Sequence, residues 1–320
     1  MAGRALFLPQ TSIPIPLVAR NMQVLLARNA FQNACRRENM PKFYKRGMIQ
    51  VTPQYNSAAW DYWAHFEPVG RGHYGGNEIE QAQEYLKARD IGTHPFFAYA
   101  AQKPEALKLW VAQEARITNL FSQTMFALLA NTQNVNMRSL LLPVAIGEHS
   151  KVEWNGQAER SHPALLAELC SRVGVHLGVR DAKIDGTDYE GMPYPLTPAA
   201  DRFFQAMTES ISSFPYALGF LGVGTEELIH DEYSAIKTSF KSAFGEEFNT
   251  DFLDSNINED DHHAQLMRTA ASYLSKHEMA EYLEGAKAGV DARYDYYTSL
   301  LNYCLEHDVV SVPQPAPEVK

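Results

Sequence analysis

Cysteine is scarce in this sequence: Cys35, Cys170 and Cys304 lie far apart and form no Cys-x-x-Cys pair. That spacing excludes a disulfide-stapled scaffold and a thiolate zinc site, and leaves reduced thiols as the expectation. Long apolar runs are missing too. No window approaches the 18 or so uninterrupted apolar residues of a membrane-spanning helix. Positive charge is in short supply, with 28 Lys and Arg against 38 Asp and Glu and a net charge of −10. This is the wrong sign for a protein that binds nucleic acid by neutralising phosphates. The glycines between Gly70 and Gly76 follow no strand pattern and bring no P-loop lysine, so they do not read as a phosphate cradle. Apolar material is plentiful, at 45% hydrophobic and 11% aromatic residues, enough for a core. The expectation is a soluble, cytoplasmic globular protein.

Charge is unevenly spread. Residues 1–46 carry eight basic residues and the single acid Glu38, which leaves −17 on the rest of the chain. An acid-poor, Arg-bearing start is the composition of an organelle leader; the other reading is a helical arm packed on the acidic body or on a second subunit. Helical periodicity dominates from there. It predicts a helix over 17–37, an irregular covering layer to about 76, and helices over 78–88, 104–131, 136–149 and 158–173. A glycine- and proline-bearing connection spans 174–196. Thr197-Pro198 pairs an N-cap residue with proline at the first helical position, a strong helix start. Helices over 198–212, 214–221, 225–244, 249–276 and 278–305 follow. No strand ladder or repeat stands out. The fold class expected is all-α: an N-terminal extension over 1–91, a helical domain over 92–308 and a flexible tail over 309–320.

Ligand-type side chains cluster in four places. In Asn256-Ile257-Asn258-Glu259-Asp260-Asp261-His262-His263, helical spacing puts Asn256, Asp260 and His263 on one stripe. The neighbouring Leu253 and Ile257 turn that stripe inward, where a carboxylate and an imidazole are costly unless a metal or another partner compensates them. The competing reading is a solvated, acid-rich helix start. Glu159 and His162 have the Glu-x-x-His spacing by which one helix face supplies two metal ligands, although Ser161 can equally be an N-cap with His162 in the first turn. Glu226 follows Gly224-Thr225 at a helix start, and Glu148-His149 ends an otherwise apolar helix. Taken together, carboxylates and imidazoles without thiolate are the donor set of non-haem iron or manganese.

The succession HPFF, LKLWVAQEARITN, MRSLLLPVAIGEH, ERSHPALLAEL, GVGTEELIHDEY, FLDSNINEDDHHAQL and GVDARYDYYTSLL resembles the haem-oxygenase-like di-iron oxidases and oxygenases, over about residues 92–305. The resemblance implies a haem-oxygenase-like helical bundle that binds Fe(II), one or two per chain, with O2 as co-substrate. It implies ligands at Glu159 and His162, at Glu226, and at Asp260 and His263. The family's first histidine of His-x-x-x-Asp-x-x-His is replaced here by Asn256, a weaker neutral donor, which bears on whether a second iron is held; Glu259 or His262 offers another register. Glu148 is a further candidate ligand.

The activity implied is oxidation of a small molecule, an amino acid or amine-derived metabolite, by N-oxygenation, desaturation or C–C cleavage. The alternative is a non-catalytic, cofactor-independent or haem-binding member of the fold. Phe121, Tyr233 and Phe252 are candidate pocket residues, and Arg116 is a candidate for a substrate carboxylate. The partners expected are a small-molecule substrate, a second copy of the chain and an external electron donor, with neither nucleic acid nor membrane.

Overall fold

The structure is a computed structural model that describes residues 76–148, 152–154, 157–175 and 197–307. The expected helix over 17–37, the covering layer, most of the connection after 174 and the tail lie outside the described residues. Those described belong to the compact unit Tyr55–Lys320.

Helices α1 (Glu78–Arg89), α2 (Pro95–Ala100), α3 (Pro104–Asn131), α4 (Val135–Gly147), α5 (His162–Arg172), α6 (Pro198–Ser210), α7 (Phe214–Leu221), α8 (Glu227–Phe244), α9 (Asp251–Ala271) and α10 (Lys276–Glu306) build the bundle. Local chemistry sets their starts. Asn134 accepts from the backbone N–H groups of Asn136 and Met137, Thr197 accepts from Ala200 N, and Ser275 and Glu278 form a reciprocal capping box at the head of α10. Each satisfies N–H groups that a first helical turn leaves without partners.

One expectation is corrected. Val152–Trp154 and Gln157–Arg160 form a short antiparallel hairpin, β1 and β2, and α5 begins at His162 rather than near 158. Pro163 explains the late start, because a residue without an N–H is accommodated only in the first helical turn. Glu159 therefore lies on β2, and it and His162 do not share a helix face.

The centre of the bundle is α10, against which α7, α6 and α1 pack, with α9 lying across α4, α5 and α8. Contact between α7 and α10 is backbone to backbone. A Cβ on Gly219 would sit 2.0 Å from Tyr282 O, one on Gly224 2.4 Å from Gly289 Cα, and one on Gly289 2.5 Å from Phe220 O. Only glycine permits this approach. Between α7 and α8 the chain stays helical but widens into a π-turn over Gly222–Glu226, the one-turn bulge that often marks functional positions. In α3, every residue from Leu109 to Ile117 is buried, including the polar Gln113, Glu114 and Arg116. Burial on all sides obliges those polar groups to find partners.

Candidate metal centre

Four elements converge on one buried point. Glu148 follows directly after α4, Glu226 closes the π-turn, His162 opens α5 and His263 lies on α9. One oxygen each from Glu148 and Glu226 and one nitrogen from His263 lie within 4.8 Å of one another. His263 Nδ1 is 3.4 Å from Glu226 Oε2 and 4.0 Å from Glu148 Oε1. His162 Nδ1 is 3.8 Å from Glu148 Oε2, and its Nε2 is 3.3 Å from Ser255 Oγ on α9. Both imidazoles are wholly buried and the two carboxylates nearly so.

Neither carboxylate oxygen of Glu226 has a hydrogen-bond partner. Burial pushes this carboxyl above the ordinary carboxylate range; His263 pulls it back and Glu148 pushes it further up, with burial prevailing. Such a carboxylate is expensive unless something else compensates it. Two carboxylates and imidazoles without sulfur suit a first-row metal with O/N preference, so the residues fit iron.

A second buried polar system lies beside the first. Arg293 on α10 donates through Nε to Glu232 Oε2 at 2.8 Å and through Nη2 to Glu114 at 2.9 and 3.1 Å, and Nη2 also bonds Glu232 Oε1. Tyr233 donates to Glu114 Oε1 at 2.9 Å, Tyr297 to Glu232 Oε1 at 2.5 Å, and Trp110 Nε1 to Tyr297 at 2.8 Å. Burial, reinforced by the Glu114 charge, drives the Tyr233 phenol well above its usual pKa of 10, which keeps its proton in place near neutrality.

The two systems line one small cavity of about 20 Å³, partly open to solvent. Its polar wall comes from Glu148, Glu226 and Asn256 on one side and from Glu114, Arg293 and Tyr233 on the other; Ile117, Phe121 and Ile229 supply apolar cover.

Of the residues singled out in the sequence, Glu148, Glu226, His162 and His263 come together, and Phe121, Tyr233 and Asn256 line the adjoining cavity. The Asn256 amide nitrogen is spent on its own helix, donating to Phe252 O at 2.6 Å. Backbone places Glu159 on β2 and Asp260 on α9, while their side chains lie outside the described residues. Phe252 packs its ring 5.8 Å from that of Tyr233 but does not line the cavity. Arg116 is buried on α3, whose cavity-lining residues are Glu114, Ile117, Thr118 and Phe121. The sequence reading missed Glu114, Glu232, Arg293 and Thr225. The available signal was Arg293 standing four residues beyond Gly289, itself four beyond Gly285, on one face of α10.

A family model described as an iron-containing redox enzyme matches residues 108–294. No curated protein matches the chain. Among solved structures, the chain is similar to a CADD-like protein of unknown function from Nostoc punctiforme, with a TM-score of 0.54 and 17% identity over 74% of this chain and 100% of that one. It is also similar to a TenA homolog from Pseudomonas syringae pv. tomato, with a TM-score of 0.51 and 12% identity over 74% of this chain and 99% of that one. At such identities the likeness speaks for the helical fold alone.

Proposed function

The chain belongs to the family of iron-containing redox enzymes, and on that premise we propose that it is an O2-dependent non-haem iron oxidase or oxygenase of a small molecule, most fittingly an amino acid or amine-derived metabolite. Glu148, Glu226, His162 and His263 hold the iron, joined by Glu159 and Asp260 at the family's motif positions. The observation that carries the reading is Glu226, a buried carboxylate beside a second carboxylate and a buried imidazole, with no hydrogen bond to either oxygen. A fold retains such a group when an ion completes it.

Bound iron supplies the redox chemistry towards O2. The chain's own residues supply the rest. Glu148 lies within 4 Å of both histidine rings and places its carboxylate between them. Ile117, Phe121 and Ile229 give the cavity an apolar side. Tyr233, whose proton is held on the phenol and directed at Glu114, fixes the opposite wall. An iron pair is the primary proposal. Asn256, a neutral donor where the family's motif has histidine, supports a single-iron site as the second reading.

The test is anaerobic titration with Fe(II), a count of tightly bound iron, then rapid mixing with O2 under visible spectroscopy. About two irons and a transient absorption support the iron pair, and about one supports the second reading. No bound iron refutes the proposal. His263→Ala removes iron binding while the chain stays folded.

A further inference from the structure

Tyr233 is the one phenol among the described residues that line the cavity, where it stands with Glu148 and Glu226. Behind it the core holds a row of oxidisable rings. The Trp110 indole is edge-on to Tyr233, with ring centroids 5.9 Å apart. Trp110 donates through Nε1 to the Tyr297 hydroxyl at 2.8 Å. The Tyr297 ring lies 5.8 Å from that of His94, and His94 lies 4.7 Å from the ring of Tyr294. Tyr294 is half-buried, with the Arg89 guanidinium over its ring at 4.7 Å. The row therefore runs from the cavity wall, through buried residues, to the outer side of α10.

Packing alone does not explain where the protons of this row point. A buried phenol or indole N–H ordinarily finds a hydrogen-bond partner, and a neutral one suffices. Here both buried phenols of the row face carboxylates, Tyr233 donating to Glu114 and Tyr297 to Glu232. A phenol gives up an electron readily only when its proton leaves as well, and a carboxylate at the end of the hydrogen bond receives that proton. Tyr296 supplies the contrast. Its ring is 5.0 Å from that of Tyr297, but its hydroxyl has no hydrogen-bond partner among the described residues, so its proton has nowhere to go. His94 is not itself oxidised. Its two ring nitrogens are fixed by Phe96 N and Thr298 Oγ1, and the ring fills the gap between Tyr297 and Tyr294 with atoms through which an electron tunnels.

We propose that Tyr233, Trp110, Tyr297 and Tyr294 form a relay that drains oxidising equivalents from the metal centre to the surface when no substrate consumes them. The relay rests on the iron chemistry proposed above. Tyr233 first loses an electron to the oxidised metal centre while its proton passes to Glu114 Oε1, which leaves a neutral phenoxyl radical. Trp110 returns an electron to Tyr233, which recovers its proton from Glu114. Tyr297 then reduces the Trp110 cation radical and passes its own proton to Glu232 Oε1. Tyr294 supplies the next electron across His94; Tyr297 takes its proton back, and the Tyr294 proton leaves to water. A surface reductant, a thiol or ascorbate, restores Tyr294 by giving up a hydrogen atom. The balance is one electron moved from the reductant to the metal centre and one proton released, with every side chain regenerated.

The experiment loads the full chain anaerobically with Fe(II), counts the iron and mixes the protein with O2 without added substrate. Freeze-quenched samples, with and without ring-deuterated tyrosine, are read by electron paramagnetic resonance, and digests are mapped by mass spectrometry for oxidised side chains. The wild type should show a tyrosyl radical that ascorbate removes, with oxidative damage centred on Tyr294. Tyr294→Phe should leave the radical on Tyr297 and shield it from ascorbate; this change at a half-buried ring keeps the test decisive should Trp110→Phe not fold. Trp110→Phe should hold the radical at Tyr233 and move the damage to cavity-lining side chains. Tyr296→Phe should change neither pattern. Iron-loaded protein that yields no tyrosyl radical with O2, damage at the cavity in the wild type, or a radical that ascorbate still removes from Tyr294→Phe overturns the relay and spares the iron proposal. Protein that takes up no iron overturns both.

Discussion

Replacing Glu226 by Gln should make the metal-free protein more stable and the metal unable to stabilise it further. The side chain is 1% exposed, and neither oxygen has a hydrogen-bond partner. Its nearest compensating group is His263 at 3.4 Å, while the Glu148 carboxylate opposes it. Burial outweighs His263 in setting its proton affinity, so the metal-free fold disfavours the ionised side chain. An amide of the same shape removes the charge and can donate to Glu148. Relieving an uncompensated buried polar group is worth about 1–2 kcal/mol, or about 3–6 °C in Tm for a domain of this size. Fe(II) at a hundredfold excess over its Kd stabilises the wild type by about 2.7 kcal/mol through mass action. The variant, lacking an anionic ligand, should lose most of that gain. Differential scanning calorimetry on both proteins, with and without anaerobic Fe(II), reads both quantities. A metal-free variant that melts below the wild type would mean that Glu226 serves as a structural ion pair with His263. A variant that keeps the full Fe(II) shift would remove Glu226 from the ligand set. Either result refutes the reasoning.

Gly289→Ala forces a Cβ to 2.5 Å from Phe220 O, and since backbone cannot yield as a side chain does, urea unfolding should record a loss of about 3 kcal/mol. Glu232→Gln weakens the two-point pairing with Arg293 inside the core and should cost about 3 kcal/mol or more by the same assay, with part recovered when Arg293→Met is added. His94 is held to a pKa of about 4 by burial, and its Nδ1 accepts the capping bond from Phe96 N at 3.1 Å. Below about pH 6.5 the unfolded chain binds a proton that the folded chain refuses, so stability declines as pH falls from about 6.5 to 4, by at most about 3 kcal/mol. His94→Gln should flatten that slope in a urea-unfolding series against pH.

Helix identity was legible where one rule acted alone. Thr197-Pro198 opened α6 as the cap chemistry required, and the inward stripe of α3 appeared at its helical spacing. Errors arose where two rules competed. A helix was expected from about 158, whereas Gln157–Arg160 pairs with Val152–Trp154 as a hairpin and Pro163 holds the helix start to His162. Of the site, histidines and carboxylates set in apolar surroundings drew attention by type. Arg293 did not, because an arginine in a helix is most often a solvated one, and only its phase relative to Gly285 and Gly289 marks it as inward. The π-turn was equally illegible. It adds one residue to a turn without any residue type that demands it, and it is what carries Thr225 and Glu226 to the cavity.

Two polar systems meet at this cavity under opposite constraints. The Glu114–Arg293–Glu232 system matches most of its donors and acceptors internally and ties α3, α8 and α10 together. The Glu148–Glu226–His263 cluster brings α4, the π-turn and α9 together around a carboxylate whose oxygens have no hydrogen-bond partner. The same chemical change therefore has opposite consequences a few residues apart. Glu→Gln at 232 removes a charge whose partner stays buried, and destabilises; Glu→Gln at 226 removes a charge that lacks an adequate partner until an ion arrives, and stabilises. Burial is equal at the two positions, so burial alone predicts no such difference. If the metal-free protein responds with opposite signs, position 232 belongs to the scaffold and position 226 to a site whose stability was given up for binding. Destabilisation at both would make the pair of systems one structural network, and the case for a metal centre would then rest on the family match alone.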